Sequence, residues 1–297
     1  MSGLNITCDR RGKFWRVAVW QGRELRDLYV DKITDPDRTG AIVGGKAVRV
    51  LSGQKAAWFD CGLSEKVFID NPGAVATGDY KTIQIINTAR RGKAWAGCFV
   101  EYKTAVGKIG ALMAPPRPWQ RAIADLKNAK INSILFANRE DHQQCKEWLE
   151  TDEPSGLPLL KPLSKEPVHP ALDEIIDELQ ESAVALPGGG NLVIEPTEAL
   201  VAIDVNGGEA ANPLAVNLQA VREIARRIRL RNMAGIIVID ALKMKNRTDK
   251  AKVLNALDKA VANDPAGVQV FGLTKLGLIE LTRSRRGPSL RAIAEGS

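Results

Sequence analysis

Two apolar, strand-like runs, "ALVAID" at residues 199–204 and "GIIVID" at 235–240, each end on an aspartate. Between them the chain from about Pro213 to Asn232 reads as one long helix, with Val221, Ile224 and Ile228 at helical spacing on an inward stripe. Parallel neighbouring strands need a crossover of this kind, usually a helix. If the two runs are neighbours, their carboxylates converge at one edge of a sheet, where sites in strand-and-helix folds lie. Taken alone, "DVNGG" is also what a turn is made of. The rest of the chain decides between the two.

Two hard anionic oxygens facing each other call for a cation. Mg²⁺ fits best, because one or two carboxylates hold it while water and phosphate oxygens fill its other positions. Asp204 and Asp240 are therefore the candidate metal ligands, and Asn206 is placed to help hold a phosphate or the metal's water. Basic residues cluster nearby in sequence: Arg222, Arg226, Arg227, Arg229 and Arg231 on the helix, Lys243, Lys245 and Arg247 after Asp240, and Arg283, Arg285, Arg286 and Arg291 near the end. A solvated helix face accounts for some of these arginines. Phosphate contacts account for the set, and a net charge of +7 favours the same polyanionic partner.

Nearer the start, "FWRVAVWQGRELRDLYV" predicts a hairpin around Gln21-Gly22, since Trp15, Val17 and Val19 alternate. From about Ala41 to Val100, the runs "KAVRVLSG", "AAWFDCG", "EKVFID", "YKTIQIIN" and "KAWAGCFV" recur between glycine-containing turns, a density that predicts a small barrel. Trp58, Phe59 and Phe68 lie there among Lys46, Arg49, Lys55 and Lys66, a mixture that serves a barrel core or stacks bases beside phosphates. Exposure separates those roles.

"RPWQRAIADLKNAK" and "EDHQQCKEWLE" predict short helices on either side of a strand, "SILFAN". Pro154, Pro158, Pro162, Pro167 and Pro170 then predict a linker or irregular crossing, followed by a helix at "ALDEIIDELQES". Cys8, Cys61, Cys98 and Cys145 are far apart and only two histidines accompany them, which argues against a zinc site or disulfide framework. No leader-like start and no membrane-length apolar run is present, so a cytoplasmic location and no membrane partner are expected.

Three long stretches in order, "LPGGGNLVIEPTEALVAIDVNGG", "NLQAVREIARRIRLRNMAGIIVID" and "KLGLIELTRSRRGPSL", closely resemble the ribonuclease E/G family. The resemblance is strongest from about Leu186 to Leu290. Further back, "RVAVWQGRELRDLYV" resembles that family's opening hairpin, and "KAVRVLSGQKAAWFDCG" with "KVFID" resembles its S1 domain, an OB-type RNA-binding barrel. It implies an α/β fold in which the hairpin and the residues after about 186 form one RNase H-like catalytic domain with the barrel inserted. The expected layout is residues 1–38 as the first part of the RNase H-like domain, 39–105 as the S1 barrel, 106–170 as a reduced middle region and linker, and 171–297 as the catalytic half.

The implied activity is Mg²⁺-dependent endonucleolytic cleavage of single-stranded RNA, leaving 5′-phosphate and 3′-hydroxyl ends. By motif, Asp204 and Asp240 hold the metal, Asn206 assists, and Trp58 and Phe68 match base-stacking aromatics. Lys55, Arg226, Arg229, Lys243, Lys245, Arg283 and Arg285 complete the expected RNA contacts. The middle region is shorter than the family's, covering roughly Arg117 through Pro170. Ala137 and Asn138 stand where relatives place an Arg-Thr pair that senses a 5′-monophosphate, and "ALKM" replaces an aromatic and an acidic residue after "VID". The later cysteine motif is missing, so neither a zinc-linked dimer nor a degradosome scaffold is expected. These departures leave two readings, an endoribonuclease or a paralogue that holds RNA and cleaves it weakly or not at all.

Overall fold

Leu4, Ile6 and Cys8 alternate with Asn5, Thr7 and Asp9, and in the computed structural model this period-two pattern forms the first strand, β1 (Leu4–Arg11). The structure describes residues 3–51, 53, 55–87, 94–102, 107–164, 169, 171–209 and 212–295. β1 pairs antiparallel with β2 (Phe14–Gln21), and a tight turn at Gly22 leads into β3 (Glu24–Lys32). The chain divides into two compact units, one of residues 1–30 with 122–297 and one of residues 31–121.

The second unit is a barrel built from the five β-like runs. Its strands are β4 (Ile42–Leu51), β5 (Ala56–Asp60), β6 (Val67–Asp70), β7 (Tyr80–Asn87) and β8 (Trp95–Phe99). They follow the order β5-β6-β8-β7-β4, and a further β4–β5 pairing closes the ring. A closed five-strand barrel with this crossover is consistent with an S1/OB-like domain. Phe59, Val67, Ile69, Ile83 and Ile85 fill its interior. An unforeseen short strand, β9 (Gly110–Met113), pairs with β4 over Ile42–Gly44.

α1 (Pro118–Asp125) spans the point where the chain passes between units. β10 (Ile131–Phe136) then lies parallel to β1, completing a four-stranded sheet in the order β10-β1-β2-β3. α2 (Arg139–Asp152) follows, and the proline-rich stretch begins as a 3-10 turn over Pro154–Leu159. It is not a free linker there: Leu160 bridges to Ile134, and Lys161 and Ser164 donate backbone hydrogen bonds to Ile134 and Phe136. Pro167 and Pro170 lie outside the described residues.

α3 (Leu172–Glu178) leads to a second sheet. Its elements are β11 (Ala183–Ala185), β12 (Asn191–Pro196), β13 (Leu200–Asn206), α4 (Pro213–Leu230), β14 (Gly235–Asp240), α5 (Arg247–Val261), β15 (Val268–Leu273) and β16 (Ile279–Arg283), before α6 (Leu290–Glu295). The strand order is β11-β12-β13-β14-β16-β15, with β13 and β14 as its parallel pair. The opening hairpin and the C-terminal half thus share a compact unit but not a sheet. Ala18, Trp20, Leu25 and Leu28 from the first sheet pack with Leu172, Leu179, Leu230 and Leu290 to join them.

Candidate active site

The register of β13 on β14 sets Leu200 opposite Ile236, Ala202 opposite Val238, and Asp204 opposite Asp240. Neighbouring strands lie about 4.8 Å apart, so the two aspartates are side by side on adjacent strands. Strand alternation decides which way they face. Val201, Ile203, Val205, Ile237 and Ile239 are buried in the core that contains α4 and α5, leaving Asp204, Asn206 and Asp240 exposed on the opposite face. Asn206 Nδ2 donates to Asp204 Oδ2 at 2.9 Å, which ties the amide to the carboxylate.

Among the described residues no lysine or arginine forms an ion pair with Asp204 or Asp240. Two adjacent carboxylates repel each other in the charged form, so this arrangement favours binding of a cation. No cluster of three or more His, Cys, Asp or Glu side chains suited to a metal occurs among the described residues. A lone carboxylate pair nonetheless fits Mg²⁺, which keeps several waters and takes phosphate oxygens.

The loop before β12 fixes this edge from the other side. Gly190 has φ +84°, and a Cβ there would meet the carbonyl oxygen of Asn206 at 2.2 Å. Only glycine permits both the backbone angle and the close approach. Gly190 of "LPGGGN" is therefore part of how the Asn206 backbone is held.

The expected basic contacts separate into two groups. Lys243, Lys245 and Arg285 are exposed, and none of them has an ion pair among the described residues. Arg229 and Arg283 correct the expectation. Arg229 forms a bidentate pair with Asp27 and also donates to the Asn263 carbonyl. Arg283 is 4% exposed and grips Asp264 with two nitrogens while a third contacts Asn232 and Met233. Both cations are paired with carboxylates inside the fold, and Arg283 is buried there. Arg226 is half-buried and engaged by Glu223 and Glu24.

The barrel, taken by itself, sorts its aromatics by exposure. Phe59 is fully buried, whereas its neighbour Trp58 points outward and is half-buried, as is Phe68. Trp58 and Phe68 are direct cross-strand partners, meeting edge-on with ring centroids 5.2 Å apart. Arg49 pairs with Trp58 on the other side, and Lys55 is exposed in the turn entering β5. The outward aromatics of β5 and β6 thus lie beside Arg49 of β4, with Lys55 in the turn before β5.

At the position of the expected 5′-phosphate sensor, Asn138 caps α2 by accepting from the backbone N–H groups of Glu140 and Asp141. Asp141 is buried and bound by Arg10 and Trp15. Glu140 and Asp141, the two carboxylates of that first turn, are both paired with Arg10.

One residue escaped the sequence reading. Asn217 is a buried polar side chain on the apolar stripe of α4, and it hydrogen-bonds the backbone just beyond Asp240. The available signal was a lone amide four residues before Val221 on that stripe.

Residues 87–286 match the family model described as the Ribonuclease E/G family. The chain is 37% identical to "Ribonuclease E" of Nostoc sp. over 184 residues, covering 58% of this chain and 27% of that protein. It is 44% identical to the "Ribonuclease E/G-like protein, chloroplastic" of Arabidopsis thaliana over 187 residues, covering 57% and 18%. It is 31% identical to "Ribonuclease G" of Escherichia coli over 185 residues, covering 59% and 38%. The matched stretch thus spans well under half the length of these relatives.

Proposed function

Because the chain belongs to the ribonuclease E/G family, we propose that it is a Mg²⁺-dependent endoribonuclease that cuts single-stranded RNA at the Asp204–Asp240 pair. The observation that carries this reading is the register that sets those two exposed carboxylates opposite each other with no cation of the described protein paired to either. Relatives are named for ribonuclease activity, and the catalytic half is read as the RNase H-like part of this family.

A divalent ion held by Asp204 and Asp240 would supply positive charge beside the scissile phosphate and a more acidic bound water. The residues of the chain do the rest. Asp204 and Asp240 supply its anionic oxygens, and the hydrogen bond from Asn206 fixes the orientation of Asp204. Lys243 and Lys245, exposed on the segment after Asp240, attract flanking phosphates. The water oxygen bonds to phosphorus, the P–O3′ bond breaks, and O3′ leaves with a proton, giving 5′-phosphate and 3′-hydroxyl ends. Trp58 and Phe68 on the barrel stack bases of the same polymer class, which favours unpaired RNA over duplex.

The competing reading, a member that holds RNA without cutting it, draws on Lys243, which brings a positive charge to within three residues of Asp240. One assay separates the two. Purified protein is incubated with a labelled A/U-rich single-stranded RNA, and with DNA of the same sequence, in Mg²⁺ or in chelator. The proposal predicts internal cuts in RNA only, dependent on Mg²⁺, with 5′-phosphate ends. Tight RNA binding without cuts overturns it in favour of the holding protein, and equal cutting of DNA overturns the substrate assignment.

A further inference from the structure

We infer that Asn217 is the positioning residue of the carboxylate pair, acting on Asp240 through the backbone of Leu242. The inference rests on the reading of Asp204 and Asp240 as the metal site. The register between β13 and β14 ends at the Asp204–Asp240 pair, so strand pairing does not hold the chain beyond Asp240. Asn217 takes over there. Its Nδ2 donates to the Leu242 carbonyl at 2.8 Å, and the Leu242 N–H donates to its Oδ1 at 3.0 Å. One amide thus satisfies both backbone groups of a residue two positions past the carboxylate.

Asn217 is 0% exposed, so water cannot substitute for either bond. The same bracket reaches the other strand. The Leu242 side chain packs over Gly207, where a Cβ would meet its Cδ1 at 3.1 Å, and Gly207 directly follows Asn206. Two residues further along α4, Gln219 Oε1 accepts from the Gly188 N–H at 3.0 Å, bracing the loop that carries Gly190 against Asn206. The second turn of α4 therefore grips the loop before β12 and the segment after β14, the two strands that flank β13 in the sheet. Groups that hydrogen-bond metal ligands typically contribute about 10- to 100-fold in metal affinity, and a bracket two residues from Asp240 belongs at the lower end of that range.

The test uses the full chain and reads Mn²⁺ binding by electron paramagnetic resonance without RNA, then the Mg²⁺ requirement and KM for RNA cleavage. Asn217→Ala is expected to weaken Mn²⁺ binding about tenfold or more and to raise the Mg²⁺ needed for half-maximal cleavage, with KM for RNA within about twofold of wild type. Asn217→Asp keeps the bond from the Leu242 N–H and loses the other, and falls between. Gly207→Ala presses on Leu242 without touching Asn217, and provides a milder loss of Mn²⁺ affinity should the Asn217 variants not fold. Asp204→Asn is the control. If it abolishes Mn²⁺ binding while Asn217→Ala and Gly207→Ala bind as wild type and only melt earlier, Asn217 is structural and the inference alone is overturned. If Mn²⁺ binding survives Asp204→Asn, the metal-site reading fails and takes the inference with it.

Discussion

At the scale of single residues, charge alone misassigns arginine. Arg226, Arg229 and Arg283 stand in sequence among basic neighbours, but Asp27 and Asp264, which neutralise Arg229 and Arg283, lie far away along the chain or across a turn. Lys243 and Lys245 have no such partners among the described residues. Arg283→Ala should therefore cost about 3–5 kcal/mol of stability, because it strands the buried carboxylate of Asp264. Lys243→Ala should leave the melting temperature nearly unchanged, weaken RNA binding, and lower the salt dependence of that binding by about one counterion. Chemical denaturation and a salt titration of RNA affinity check the pair of outcomes; the reverse pattern would return Arg283 to the RNA-contact set. That Asp204 and Asp240 end neighbouring strands was legible in the sequence, because two apolar runs joined by a helical crossover end on the same residue type. The partners of the arginines were not, since only the folded chain brings them together.

At the scale of elements, the site depends on loops as much as on strands. Gly190→Ala would need a left-handed backbone and would drive a methyl group into the Asn206 carbonyl. It should cost about 1–3 kcal/mol and displace Asn206, so cleavage should fall further than RNA binding. Wild-type cleavage by a stably folded Gly190→Ala variant would show that this loop does not set the site. The five barrel strands and α4 were readable because their periodicities are unbroken. β9 was not, as none of its four residues is buried and pairing to β4 is all that defines it. The separation of the opening hairpin into its own sheet was equally hidden, because β10, the strand that completes that sheet, arrives more than a hundred residues after β1.

At the scale of the whole molecule, two kinds of surface are built from different material. The barrel offers outward aromatics beside cations, suited to holding a flexible polyanion. The six-stranded sheet offers a pair of carboxylates, which repel that same polyanion until a cation intervenes. Holding and cutting should therefore come apart experimentally. No described helix is long and apolar enough to cross a membrane. The most direct test compares wild type with Asp204→Asn and Asp240→Asn on one 5′-labelled single-stranded RNA in Mg²⁺, measuring cleavage and, in parallel, binding. The account predicts that each substitution abolishes internal cuts while RNA affinity stays within about twofold of wild type, since the carboxylates act on the chemical step. Cleavage that persists in either variant would contradict it.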